Sequence, residues 1–171
     1  MRYCKLLHAE TCILSYPNTI EMNPERPVRE IMTKNLITVS PDTPLSEIQD
    51  LFETRHFHHL PVTEKGGILT GIISREDFYK MAYNFSLSTT GKTWSEKQYN
   101  SVCAVDIMTR NPMVLDPDDS IGLAADVFLA NRFHALPVVE QGRIEGMVTS
   151  HDLLVFSFNS SYIEKETGEV L

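Results

Sequence analysis

Leu45, Ile48, Leu51 and Phe52 recur at spacings of three and four, which predicts one buried helical face. Ile121, Ala124, Val127 and Phe128 draw the same face about 76 positions later. Before each face lies a short apolar run, Leu36 to Val39 and Met113 to Leu115, that stops at a proline as a strand does before a turn. Thr43-Pro44 offers an N-cap and a proline at the first helical position. After each face, Leu60-Pro61-Val62 and Leu136-Pro137-Val138-Val139 predict a second strand. Glycines at Gly66-Gly67 and Gly142 predict a turn, and Ile68 to Ile73 and Ile144 to Val148 a third strand. A last helix starts at Ser74 or Thr149. Each unit therefore reads β-α-β-β-α, an α/β chain of the α+β type.

The two units match residue by residue, which marks an internal repeat. Ile31-Met32-Thr33 aligns with Ile107-Met108-Thr109, Pro41-Asp42 with Pro117-Asp118, and Phe57-His58 with Phe133-His134. Gly71 aligns with Gly146, Ser74 with Thr149, and Asp77 with Asp152. The expected organisation is an N-terminal extension (1–27), repeat 1 (28–83), a linker (84–103), repeat 2 (104–159) and a C-terminal tail (160–171). One such unit is marginal alone, so the two are expected to pack together. The linker is polar, and its Gly91-Lys92-Thr93 lacks the upstream glycine of a phosphate loop, with Ser86 in that place.

Hydrophobic residues make up 42% and charged residues 22% of 171, ordinary usage for a folded protein. A net charge of -8 argues against extended nucleic-acid binding, which needs a basic face. No apolar run reaches the roughly 20 residues that cross a bilayer, and a cytoplasmic location is expected. Cys4, Cys12 and Cys103 are too few for a disulfide framework. Cys4, His8 and Cys12 would share one helical face, but their spacing matches no common zinc site.

The paired IMT, PD, LPV and G-h-h-[ST]-x-x-D blocks, h being apolar, resemble a tandem of cystathionine-β-synthase (CBS) domains, a Bateman module. The resemblance implies two repeats about a pseudo-twofold axis, with clefts between them for AMP, ADP, ATP or S-adenosylmethionine. It implies a stand-alone regulator, commonly a homodimer, that signals to an effector protein in trans. The flanking segments are expected to be too short for a catalytic domain. No nucleophile is arranged with a base, so no enzyme is expected. The alternative is a dimerisation or protein-interaction module with empty clefts.

Within this frame, Ser74 with Asp77 and Thr149 with Asp152 are the expected nucleotide-binding pairs. A carboxylate accepts hydrogen bonds from ribose hydroxyls, while the hydroxyl and the helix N-terminus favour a phosphate oxygen. The same pairs also read as helix capping boxes. By resemblance to the adenylate-sensing kinase gamma subunits of that family, His58, His59 and His134 become phosphate contacts, and His151 joins them. Ile37, Met113, Val62 and Val138 are expected around the base. Glu76 stands where repeat 2 has His151, so the cleft of Thr149, His134 and Asp152 is expected to bind better than that of Ser74 and Asp77. Metal sensing by His56, His58 and His59 is a lesser reading, because adjacent strand residues face opposite ways.

Overall fold

A computed structural model describes residues 23–55, 57–87, 101–131 and 133–158. Cys4, His8, Cys12, His56, the Gly91-Lys92-Thr93 stretch and the C-terminal tail lie outside the described residues.

Repeat 1 runs through α1 (Leu45–Thr54), β1 (His59–Glu64), β2 (Ile68–Ser74) and α2 (Arg75–Leu87). Repeat 2 runs through α3 (Ala104–Ile107), β3 (Thr109–Arg110), α4 (Ile121–Ala130), β4 (Ala135–Glu140), β5 (Arg143–Thr149) and α5 (Ser150–Phe158). Each hairpin is antiparallel, and the sheet order is β1-β2-β5-β4 with β3 added beside β2. The hairpin turns need left-handed backbone, supplied by Gly66 (φ 84°), Gly67 (φ 79°) and Gly142 (φ 82°). At their tips the hairpins exchange two hydrogen bonds, Leu69 N–H to the Gly142 carbonyl and Ile144 N–H to the Gly67 carbonyl, both 3.0 Å. Pro61 and Pro137 fall on the β1 and β4 strands at the ends of that order, where a missing N–H is tolerated.

Three expectations are corrected. The leading strands, 36–39 and 113–115, shrink to single parallel bridges, Val39 to Val62 and Leu115 to Val138. The turn that follows explains the shortening: Ser40 N–H donates to Thr43 Oγ1 at 3.0 Å, which turns the chain away at once. Thr43 is thereby used within the turn, and Pro44 rather than Thr43 occupies the N-cap of α1. In addition, α2 continues to Leu87, so the first residues of the expected linker are helical.

The hydrophobic faces close two separate cores. Leu45, Ile48, Phe52, Leu60, Val62, Ile73 and Phe78 form the first. Leu115, Ile121, Ala124, Leu136, Val138 and Val148 form the second. Each core also takes a residue from the other repeat's lead, the segment that precedes its α helix. Ala104 is buried in the first core and Val28 in the second.

Backbone hydrogen bonds lock this exchange. Ala104 N–H donates to the Thr43 carbonyl (2.9 Å) and Val105 N–H to the Pro41 carbonyl (2.9 Å). Reciprocally, Val28 N–H donates to the Asp119 carbonyl (2.8 Å) and Arg29 N–H to the Pro117 carbonyl (3.2 Å), while Arg29 forms an ion pair with Asp118. The repeated glycines show why the fit is tight. A Cβ on Gly71 would lie 2.5 Å from Met108 Sδ and 3.0 Å from the Thr109 carbonyl oxygen. One on Gly146 would lie 2.6 Å from Met32 Sδ and 3.0 Å from that of Thr33. The matched Ile-Met-Thr and glycine blocks are thus two halves of one crossed contact.

Candidate functional site

Crossing the leads has a consequence for the surface. Because β3 pairs with Gly71 and Ile72 of β2, the residues that follow it, Asn111, Pro112 and Met113, are carried to the start of α2. A cavity of about 810 Å3 opens there, within the range of small-molecule sites. Repeat 1 contributes His58, His59, Ser74, Arg75, Glu76, Asp77 and Tyr79. Repeat 2 contributes Met113, Phe133 and His134 beside the turn at Asn111, whose φ of 48° is left-handed. Asn tolerates that conformation better than most residues.

At the start of α2, Ser74 Oγ donates to Asp77 Oδ2 (2.7 Å) and accepts from the Asp77 N–H (3.0 Å). The Arg75 N–H donates to the His58 carbonyl (2.8 Å), which fixes the histidine beside the helix start. Repeat 2 builds the same corner, where the Ser150 N–H donates to the His134 carbonyl (3.2 Å). There Asp152 Oδ2 accepts from both the Thr149 N–H and the Thr149 hydroxyl, each at 2.7 Å, and the Asp152 N–H donates back at 3.3 Å. Both pairs therefore cap helices, and Asp152 is the more fully engaged of the two carboxylates.

Three imidazoles converge on this cavity, and burial holds His59 below the usual histidine pKa of 6.5. His58 and His134 push in the same direction, while the Asp77 carboxylate opposes them. Glu76 is engaged by Lys80 at 2.9 Å, and the same ammonium lies 3.8 Å from Asp77. That pairing raises the Lys80 pKa and offsets the negative charge expected to repel a phosphate. The Arg75 guanidinium lies 5.7 Å from the Tyr79 ring centre, a cation–π distance.

The cavity gathers His58, His59, Ser74, Asp77, His134 and Met113. It does not gather Thr149, His151 or Asp152, and His134 joins the Ser74 and Asp77 side rather than the Thr149 and Asp152 side. The backbone of His134 meets the second corner, where its carbonyl accepts from the Ser150 N–H, while the residue lines the cavity at the first. Val62 and Val138 have no exposed surface, since both belong to the cores, and stand behind the site rather than in it. Ile37 is 37% exposed but lies outside this cavity. Tyr79, Asn111 and Phe133 were not anticipated, and Arg75 stood within the Ser74 to Asp77 block without a role of its own. The Asn-Pro dipeptide was a turn signal for Asn111, and Phe133 shares its repeat position with Phe57. Among the described residues, no group of three His, Cys, Asp or Glu side chains is arranged to hold a metal ion, and no helix is long and apolar enough to cross a membrane.

A family model described as CBS domain matches residues 28–83 and 104–159. A CBS domain-containing protein of Dictyostelium discoideum is 31% identical over 129 residues, covering 74% of this chain and 88% of that protein. An uncharacterised protein of Methanocaldococcus jannaschii is 26% identical over 145 residues, covering 84% of this chain; the chain spans 48% of its length. Among solved structures, CBSX2 from Arabidopsis thaliana in complex with AMP superposes with a TM-score of 0.66 at 26% identity, covering 78% of this chain and 97% of that one. The CBS domain pair of protein MJ0100, in complex with 5'-methylthioadenosine and S-adenosyl-L-methionine, gives 0.63 at 26% identity, covering 80% and 100%.

Proposed function

The chain belongs to the CBS-domain family, and from that premise we propose that it is a regulatory module binding an adenosine-containing ligand in the cavity between its repeats. The observation that carries the reading is the cavity itself, where the α2 start and three histidines from both repeats face one space. Asp77 accepts the ribose hydroxyls, the histidines and Arg75 meet the phosphate, and Met113, Pro112 and Phe133 enclose the base. Relatives with AMP, or with 5'-methylthioadenosine and S-adenosylmethionine, support this ligand class. Ligand binding shifts the packing of the crossed repeats and so the fit to a protein partner in the cytoplasm, to the extent that the two states differ in affinity. The module regulates rather than catalyses.

The test is a comparison of Asp77→Ala with Asp152→Ala. Each removes the carboxylate from a helix cap, but only Asp77 lines the cavity. Asp77→Ala is expected to weaken AMP or ATP binding about tenfold or more, the loss from one charged hydrogen bond. Asp152→Ala is expected to bind like the parent. At 100 times its dissociation constant a ligand adds about 2.7 kcal/mol to stability, so thermal shift reads the difference.

A second reading is a dimerisation module whose serine and threonine pairs only cap helices. The reciprocal bonds at both corners favour it, and it predicts no thermal shift with any adenosine ligand.

A further inference from the structure

The cavity has few fixed positive charges for a site that would hold a phosphate. Its permanent charges are Arg75 against Glu76 and Asp77, all three at the start of α2. Lys80, one turn on, is already engaged by Glu76. The β1 side contributes His58 and His59, the β4 side contributes His134, and α2 adds Tyr79. With its imidazoles neutral, the cavity carries no excess of positive charge. With them protonated, it does.

We infer that protonation of His58, His59 and His134 selects among adenosine ligands, favouring phosphate-bearing ones as pH falls and leaving neutral phosphate-free ones unaffected. The inference rests on the nucleotide reading and adds the selection to it. In the empty site burial, then His58 and His134, push the His59 pKa down. A phosphate entering the cavity reverses that balance, and the site takes a proton from solvent as it binds. Affinity for a phosphorylated ligand then rises as pH falls, by at most about tenfold per pH unit for each proton taken up. A thioether nucleoside without phosphate gains nothing. A sulfonium ligand, already positive, is disfavoured by the same protons.

The experiment is calorimetric titration of the full chain with AMP and with 5'-methylthioadenosine at about pH 8 and about pH 6.5, bracketing histidine titration. Repeating each titration in buffers of different ionisation enthalpy counts the protons. The expected result is AMP binding about tenfold tighter at the lower pH with net proton uptake, while 5'-methylthioadenosine affinity stays level. The phosphate itself gains a proton near pH 6, which works against the effect, so its contribution is isolated with His58→Gln/His134→Gln. Both histidines are solvent-exposed, and the variant's fold is checked by circular dichroism. Its AMP profile is expected to flatten.

AMP affinity that is level with pH in the parent, both ligands still binding, overturns the selection and leaves the nucleotide reading standing. An unchanged pH profile in the folded double variant does the same. Failure of both ligands to bind overturns the nucleotide reading and the selection with it.

Discussion

His59 couples the cavity to the stability of the empty protein. Its folded pKa lies below the unfolded 6.5, so the unfolded chain binds the extra proton as pH falls. The contribution of neutral His59 is fully present above pH 6.5 and is lost as pH falls from there through the lowered folded value. Thermal melts of the ligand-free protein are expected to drop over that interval, and His59→Gln to flatten the drop. An unchanged slope in His59→Gln would sink the assignment. At this scale the sequence was informative about residue type and poor about company. Histidines before each Pro-Val strand were visible as phosphate candidates, and so were the Ser74 and Asp77 pair. That His134 turns toward repeat 1 was not visible, because backbone register fixes where a residue starts and not which cavity its side chain enters. Val62 and Val138 illustrate the converse, since an apolar residue beside a cleft and one in a core look alike in a sequence.

Between elements, each Ile-Met-Thr segment approaches the opposite strand closely at a glycine. Gly71→Ala is expected to destabilise the protein by about 1–3 kcal/mol, the usual cost of overpacking, measured by urea unfolding. Met108 can swing away from the new methyl, but the Thr109 carbonyl at 3.0 Å cannot without disturbing β3. Combining Gly71→Ala with Met108→Ala should therefore cost less than the sum of the two, since the groups share one contact. Strict additivity would show that the glycine serves some other need. The helices and hairpins were legible because their periodicities are strong and their turns carry glycine. The leading strands were overread: a short run such as Leu36-Ile37-Thr38-Val39 or Met113-Val114-Leu115 satisfies a strand pattern even where only one residue reaches its neighbour. Repetition revealed that the Met and Gly blocks mattered. It gave no sign that they meet across the repeats, because matched blocks are equally compatible with contacts inside each copy.

On the whole molecule, the two repeats are dressed differently. The helices of repeat 1 expose Glu47, Asp50, Glu53, Glu76 and Lys80 beside Tyr79 (39%) and Tyr83 (64%), whereas α4 and α5 expose the aliphatic Leu129 (85%) and Leu154 (57%) with Phe158 (75%), Asp126 among them. In the expected homodimer, joining repeat 2 to repeat 2 would cover those residues in both copies at once, while joining repeat 2 to repeat 1 would set them against carboxylates. Leu129→Asp with Phe158→Asp is expected to convert a dimer to a monomer in light scattering, and a parent that is already monomeric would refute the pairing. The crossed leads also set a timetable for synthesis. A growing chain that has reached Leu87 holds every helix and strand of repeat 1, yet Ala104 and Met108, which finish that half, have not been made. Val28, among the first of the described residues to emerge, must wait for a core whose Val148 comes near the end. The first core can close once Met108 is made, but the second stays open until Val148, so the nascent protein holds open apolar surface through most of synthesis, and a truncation that spares one repeat still leaves it unfinished.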